Sequence, residues 1–128
     1  MAATATRSPR SMPQSGKKVD VISVAWTSDA GGAASVVISQ IYGFLLKIVT
    51  DPTDGPTDNY DITLIDENGV DALANAGVDR DTTNSEQVYP MVSGAAIPIF
   101  LCGDHTFTIA NAGAIKSGVT VFYVTESL

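Results

Sequence analysis

One dense apolar run, residues 42–49 (YGFLLKIV), limits the possible folds of this chain more than any other feature. Read with the two-residue period of a β-strand, it has one face of Tyr42, Phe44, Leu46 and Ile48 and another of Leu45, Lys47 and Val49. A strand that is apolar on both faces needs cover on both sides, as in the centre of a sheet. The run therefore predicts the central strand of an antiparallel β-sandwich.

The rest of the chain alternates apolar and polar residues in short segments separated by Gly, Asp and Pro, a pattern typical of strands joined by turns. Further strands are predicted at residues 19–27, 34–39, 60–65, 88–92, 96–101, 104–110 and 119–125. Residues 28–32 (SDAGG) predict a turn that joins the first two strands as a hairpin. Residues 70–76 predict one helical turn with Gly77 as its C-cap. We expect an all-β, antiparallel β-sandwich of roughly seven or eight strands.

The alternation within these strands also predicts which side chains form the core. One strand has an inner face of Tyr60, Ile62 and Leu64, and another has a shared face of His105, Phe107 and Ile109. The single tryptophan, Trp26, is expected to be a core aromatic because large rings contribute most of the apolar area that a small domain buries.

The charge is divided unevenly along the chain. Residues 1–18 contain four basic residues and no acid, whereas residues 19–128 hold all 14 acids and a net charge of −11. Residues 1–18 are also polar and proline-bearing, so they predict an extended basic arm in front of one sandwich domain at residues 19–128. The arm could rest on its own domain or lie across an acidic neighbouring subunit. We favour the second arrangement, in which the partner-binding residues are Arg7, Arg10, Lys17 and Lys18.

The acidic domain argues against several classes of partner. Nucleic-acid binding requires neutralised phosphates, so we do not expect DNA or RNA as the main partner. No apolar run reaches the roughly 20 residues that span a bilayer, and the N-terminus lacks the apolar segment of a signal peptide. The single cysteine, Cys102, allows no internal disulfide. We expect a soluble protein made in a reducing compartment, with no membrane partner.

No residue pattern predicts catalysis. Cys102 lies in an apolar run (IPIFLCG), where a thiol is usually a small buried hydrophobe. His105 falls on an apolar strand face, where an imidazole is usually structural, and a turn at residues 103–104 is expected to separate it from Cys102. The acids lie mostly in solvated loops, which argues against a general acid–base pair. We expect no enzymatic activity and no cofactor.

A calcium site is the one metal site that the sequence suggests. Four acids crowd residues 51–61: Asp51, Asp54, Asp58 and Asp61. Oxygen-rich loops are what calcium requires. Residues 66–71 (DENGVD) lack the spacing of a calcium-binding loop, and there is no Cys/His cluster for zinc. A solvated acidic loop is the preferred interpretation, with calcium at a loop or subunit junction as the alternative.

Three segments resemble small virion proteins of tailed bacteriophages: residues 19–52 (VDVISVAWTSDAGGAASVVISQIYGFLLKIVTDP), 56–77 (PTDNYDITLIDENGVDALANAG) and 117–128 (SGVTVFYVTESL). The resemblance is one of overall character, it leaves out the arm, and it carries over no functional residue. It implies a β-rich, often oligomeric structural protein that is made in the host cytoplasm and located in the virion.

Within that family the resemblance implies one of three roles: a capsid decoration (cement) protein, a head–tail connector part or a tail component. We favour a decoration protein that sits as a homotrimer on the capsid surface, with its arm on the major capsid protein. The alternative from another class is a carbohydrate- or receptor-binding module, which needs an exposed platform of aromatic rings. The rings available for it are Trp26, Tyr42, Tyr60, Tyr89 and Tyr123.

Overall fold

The computed structural model describes residues 3–11, 18–56 and 59–128, which form strands, bridges and turns without an α-helix. Its nine strands are β1 (Ala3–Ser11), β2 (Lys18–Thr27), β3 (Ala34–Asp54), β4 (Asp61–Ile65), β5 (Glu86–Val88), β6 (Met91–Val92), β7 (Ala95–Ala96), β8 (Ile99–Ala110) and β9 (Ser117–Thr125). Among the described residues, no helix has the length and apolarity that crossing a membrane requires.

Seven strands form one antiparallel sheet with the order β1-β2-β9-β3-β8-β4, and β5 pairs with β3 outside this path. The first half of β3 pairs with β8, and its second half pairs with β9 and β5. The sheet thereby folds into two layers, and rings from the two layers meet between them. The ring centroids of Trp26 and Tyr60 lie 5.4 Å apart, and those of Phe107 and Phe122 lie 6.0 Å apart. The predicted all-β, antiparallel sandwich is confirmed, with residues 42–49 in its central strand.

The two faces of β3 differ from the predicted ones. The pairing of β3 with β9 shifts register between Leu45 and Lys47, so one extra residue enters the strand there. The buried side chains around this bulge are Ile41, Leu45 and Ile48, whereas Tyr42 is exposed. The prediction that Tyr42, Phe44, Leu46 and Ile48 share one face is wrong, because a bulge moves every later side chain to the opposite side of the strand.

The turn after β2 does not form the predicted hairpin. Because β9 lies between β2 and β3 in the sheet, residues 28–33 carry the chain from one layer to the other. The Ser28 N–H donates to the Lys116 carbonyl at 2.7 Å, and the Asp29 carboxylate accepts the N–H groups of Gly31 and Ala33 at 2.9 and 3.0 Å. The Gly32 N–H donates to the Asp29 carbonyl, so the predicted turn is present. A turn fixes a change of direction and not the partner of the next strand.

The predicted core faces of β4 and β8 are confirmed. The buried side chains there are Tyr60, Ile62, Leu64, His105, Phe107 and Ile109, and Trp26 is buried as predicted. The Nδ1 atom of His105 lies 3.0 Å from the Gly103 carbonyl oxygen, so the imidazole has a hydrogen-bond partner inside the core. This is the structural histidine that the sequence predicted.

The helical turn predicted at residues 70–76 is not formed: residues 72–77 form consecutive turns, and Asp71 makes an isolated bridge with Ile65. Ala74 and Asn75 have φ angles of 50° and 67°, which interrupt any helix. Gly77 is therefore not a helix C-cap. A Cβ atom on Gly77 would overlap the Ile62 carbonyl oxygen, and the Gly77 carbonyl accepts the Ile62 N–H at 2.8 Å. Because Gly77 has no side chain, the loop that contains it can pack against the free edge of β4.

Half of the predicted arm, residues 3–11, forms the edge strand β1. Its residues pair with β2 over the whole strand, from Ala3 opposite Trp26 to Ser11 opposite Lys18. Ala3 packs in the core beside other buried apolar residues. Residues 3–11 therefore rest on their own domain, whereas residues 1–2 and 12–17 of the predicted arm lie outside the described residues.

Candidate interaction surface

The four basic residues assigned to partner binding occupy different surroundings. The Arg7 guanidinium donates to the carbonyl oxygens of Ser39 and Gln40 and lies 3.6 Å from the Asp20 carboxylate. These contacts tie β1 to the part of β3 where its pairing with β8 shifts register. The Lys18 side chain is exposed. The side chain of Arg10 and the whole of Lys17 lie outside the described residues.

Most of the described acidic side chains accept backbone N–H groups, and we call these contacts clips. Asp71 accepts the backbone N–H groups of Leu64, Leu73 and Asn75 at 3.0 to 3.1 Å. Asp66, Asp104 and Glu86 accept backbone N–H groups in the same way. The acidic composition therefore has a structural use, because carboxylates satisfy N–H groups that the strands leave unpaired.

Two further clips, at Asp29 and Asp81, should make the stability of the fold depend on pH in the acid range. The backbone N–H groups of Ala33 and Gly31 lower the pKa of Asp29, and those of Asn84 and Thr83 lower the pKa of Asp81. A carboxyl group whose pKa is lower in the folded state stabilises the fold above its unfolded pKa of about 3.9, and loses that effect as the pH falls through the folded pKa.

We therefore expect the stability of the chain against urea to fall as the pH drops below about 4 and through the lowered pKa values of Asp29 and Asp81. Asp29→Asn and Asp81→Asn should each reduce that pH-dependent loss, because the amide keeps an acceptor oxygen but does not titrate. Asp54→Asn is the control, since the described residues supply no backbone donor to that carboxylate. An unchanged pH dependence in both test variants would contradict the clip role.

The acidic segment at residues 51–61 does not bring its acids to one point in the described part of the chain. Asp61 accepts the Asp79 N–H at 2.9 Å and the Asn111 amide at 2.6 Å, whereas Asp51 lies 3.4 Å from the Ser85 hydroxyl. Asp58 lies outside the described residues. Among the residues that are described, no three His, Cys, Asp or Glu side chains converge in a way that could hold a metal ion.

Cys102 and His105 point to opposite sides of β8. Residues 103–104 belong to the strand, so the predicted turn between the two side chains is wrong. Strand alternation buries Leu101 and His105 and leaves Cys102 exposed, so the prediction of a buried thiol is also wrong. The two groups cannot form a nucleophile–base pair, which needs hydrogen-bond distance between them.

The aromatic residues divide into two groups. Trp26 and Tyr60 are buried, and burial raises the pKa of the Tyr60 phenol to about 12, so it stays neutral. Tyr123 is half-buried with the Lys47 ammonium 5.0 Å from its ring centroid. Tyr42 and Tyr89 are exposed. The candidate platform of five rings is therefore not assembled on one surface.

A different surface stands out on the outer side of β3 and β8. Tyr42 lies opposite Cys102, and Phe44 lies opposite Phe100 with their ring centroids 5.3 Å apart. Tyr42 is 59% exposed and Phe100 is 61% exposed. Cross-strand aromatic pairs usually sit against a covering layer, but these lie on the side that faces away from the core.

The hairpin of β6 and β7 leads into this surface along the chain. It lies between β5 and β8, and β7 ends four residues before Phe100. All residues from 91 to 98 are exposed, and Met91, Val92 and Ile97 are large apolar residues among them. We call Tyr42, Phe44, Phe100, Cys102 and this hairpin the charge-free face.

A simple signal in the sequence marks the charge-free face. The two longest stretches without Asp, Glu, Lys or Arg are residues 30–46 and 87–103. The register of β3 and β8 pairs these two stretches with each other, from Ile41 opposite Gly103 to Leu45 opposite Ile99. The position of charged residues would have located the surface, whereas the apolar period alone predicted a strand that is covered on both faces.

An open depression elsewhere on the molecule offers no chemistry. It is lined by Asp29, Ala33, Ala34, Ser35, Thr108 and Ile109. Its one acidic group already accepts two backbone N–H groups.

Comparison with known proteins identifies no relative: no protein-family model, curated protein or solved structure matches this chain. The function is therefore argued from the surface of the molecule.

Proposed function

We propose that this chain is a non-enzymatic structural protein that works inside a larger assembly, and specifically a capsid decoration (cement) protein of a tailed bacteriophage. The observation that carries the proposal is the charge-free face, an exposed apolar surface on a small, strongly acidic domain. Contiguous exposed apolar surface on a folded protein usually marks a contact with another macromolecule.

The layout of charge supports two separate contacts in such an assembly. In this proposal the charge-free face serves contacts between copies in a homotrimer, and the basic end of the chain serves the major capsid protein. Arg10, Lys17 and Lys18 make charge-assisted contacts with acidic capsid surface. Arg7, which already has partners within the chain, holds β1 on the sandwich. Each contact is weak by itself, but repetition by symmetry adds them together.

A head–tail connector or tail component would use the same charge-free face and basic end, but at the vertex or in the tail of the particle. The domain's net charge of −11 at residues 19–128 makes a position along the DNA path unfavourable, which favours the capsid exterior.

A carbohydrate- or receptor-binding module is the second candidate, and the exposed Tyr42 is the observation that favours it. Sugar-binding sites combine aromatic rings with several polar groups that fix the hydroxyls. The charge-free face, to which Tyr42 belongs, consists mainly of rings, a thiol and aliphatic groups, although the exposed Asp104 follows Cys102 on the same side of β8. This composition suits a protein surface better than a sugar, and a glycan-binding screen with wild type and Tyr42→Ala separates the two candidates.

Add-back to purified heads that lack this chain tests the decoration role. We expect the purified chain to bind the heads and to raise their resistance to heat, with binding that weakens as salt is raised. The triple variant Arg10→Glu, Lys17→Glu, Lys18→Glu should lose binding. Lys116→Glu changes the same charge at the opposite end of β9 and should bind like the wild type. Equal loss in both variants would contradict the role of the basic end.

A further inference from the structure

We infer that the interior of the sandwich binds one water molecule, held by the side chains of Trp26, Tyr60 and Thr120. The inference concerns the core and does not depend on the proposed function. Three observations carry it: buried polar atoms without a partner, the position of these atoms on neighbouring strands, and the small side chains beside them.

Three polar side-chain atoms are enclosed in the core without a hydrogen bond. The indole Nε1 of Trp26, the phenol Oη of Tyr60 and the Oγ1 of Thr120 have no hydrogen-bond partner among the described residues. Trp26 is 2% exposed, and Tyr60 and Thr120 are fully buried. A polar group is costly to bury unless it is hydrogen-bonded, so a cluster of three such atoms points to a shared partner.

The strand register brings the three residues to one place in the core. Trp26 of β2 lies opposite Gly118 of β9, and Thr120 is the next residue of β9 on the same face. The Trp26 ring lies over Gly118, because a Cβ atom there would be 2.9 Å from the indole Cε2, the atom bonded to Nε1. Tyr60 packs against the Trp26 ring from the other layer, with ring centroids 5.4 Å apart.

Thr50 links the Tyr60 phenol to the same position. It lies opposite Thr120 in the pairing of β3 with β9, and both side chains are buried. Burial raises the pKa of the Tyr60 phenol to about 12, and the neighbouring Thr50 hydroxyl opposes part of that rise. The phenol of Tyr60 and the hydroxyl of Thr120 therefore both lie beside Thr50.

The hydrogen-bonding capacity of the cluster matches that of water. The Trp26 N–H can only donate, whereas the hydroxyls of Tyr60 and Thr120 can donate and accept. Water does both, so one molecule can accept the indole N–H and bridge the two hydroxyls. None of the three side chains carries a charge, which favours a neutral molecule over an ion.

The side chains at this level of the sandwich are small. Where β3 and β9 pair one step further into the core, the facing residues are Ile48 and Phe122, whereas here they are Thr50 and Thr120. The smaller pair occupies less volume beneath the two rings. A buried water needs a small polar space with several hydrogen-bonding groups around it, and this end of the core provides such groups.

Solution measurements on the purified chain test the site directly. Trp26 is the only tryptophan, so its indole N–H gives a single NMR resonance. We expect this proton to show cross-relaxation with a bound water. Oxygen-17 relaxation of the solvent, which does not detect exchanging hydroxyl protons, should count one more long-lived water in the wild type than in Thr120→Val. An equal count in the two proteins would overturn the inference.

The sign of a stability change gives an independent test. Thr120→Val keeps the shape of the side chain and removes its hydroxyl. If a water bridges the cluster, the variant should unfold at a lower urea concentration, because Trp26 and Tyr60 lose their shared partner. Unfolding at the same or a higher urea concentration would contradict the site, since removing a hydroxyl that has no partner does not destabilise the core.

Two further variants complete the series. Tyr60→Phe removes a second hydroxyl of the cluster and should also lower both the urea midpoint and the count of long-lived waters. Thr106→Val is the matched control, because it makes the same change at a half-buried residue on the outer face of β8. It should leave the count of long-lived waters at the wild-type value, and a loss of the signal there would contradict the assignment to the core.

Discussion

Replacing Gly43 with alanine is expected to lower the free energy of unfolding by about 4 kcal/mol. Gly43 has a φ of 145°, a conformation that side chains rarely adopt. A Cβ atom there would overlap the Thr125 carbonyl oxygen and approach Val124 Cγ1 to 3.0 Å. Because the oxygen belongs to the backbone of β9, which pairs with β3 at this point, neither strand can move away without breaking the sheet.

Two other glycines distinguish the cost of the positive φ from the cost of the steric overlap. Gly69 has a φ of 79° but open space around its Cβ position, so Gly69→Ala should cost only about 1 to 2 kcal/mol. Gly55 has neither constraint, with its nearest neighbour 3.7 Å from the Cβ position, and Gly55→Ala should change stability by less than about 0.5 kcal/mol. Urea unfolding of the three variants measures the series. A Gly43→Ala effect no larger than that of Gly69→Ala would contradict the close approach of β3 and β9.

Replacing Phe107 with alanine is expected to lower the free energy of unfolding by about 4 kcal/mol. Phe107 is fully buried and packs edge-on against Phe122, with ring centroids 6.0 Å apart. The two rings come from β8 and β9, which lie on either side of the bent central strand, so this contact joins the two layers. Its loss leaves a cavity that rigid strands cannot close.

Phe100→Ala is the matched control, because it makes the same change on the same strand at a ring that is 61% exposed. We expect it to cost less than about 1 kcal/mol in urea unfolding of the monomer. Similar losses for the two variants would mean that the inner and outer faces of β8 have been assigned wrongly.

The fold class follows from the sequence because alternation and turn residues are local signals. Tyr60, Ile62 and Leu64 lie on one buried face as predicted, and so do His105, Phe107 and Ile109. In both segments the strand is regular, so the two-residue alternation correctly predicts which side chains are buried.

The same reasoning fails where the backbone is irregular. The bulge near Leu46 reverses the two faces of β3, and it leaves no mark in the pattern of apolar residues. Because of this reversal, the pattern of apolar residues did not predict that Tyr42 lies on an exposed surface. The strands that pair with β2 could not be predicted for a related reason. Strand pairing depends on residues that are distant in sequence, whereas the turn at residues 28–32 acts only locally.

The basic N-terminal segment shows a further limit of composition. Residues 3–11 contain few apolar side chains and two of the four basic residues assigned to the arm, which predicts an extended arm rather than a strand. Pairing with β2 satisfies the backbone groups on one side of β1, and Arg7 adds bonds to the carbonyl oxygens of β3. An edge strand can be polar, because it has only one neighbouring strand and only one of its two faces packs on the core.

The copy number and position of this chain in the purified phage particle test the proposed function most directly. Quantitative mass spectrometry and electron microscopy of the particle measure both. The decoration role predicts copies spread over the capsid exterior, in a number set by the capsid lattice. A single ring of copies at one vertex would contradict that role and indicate a connector or tail component, and a particle that lacks the chain would contradict a place in the virion.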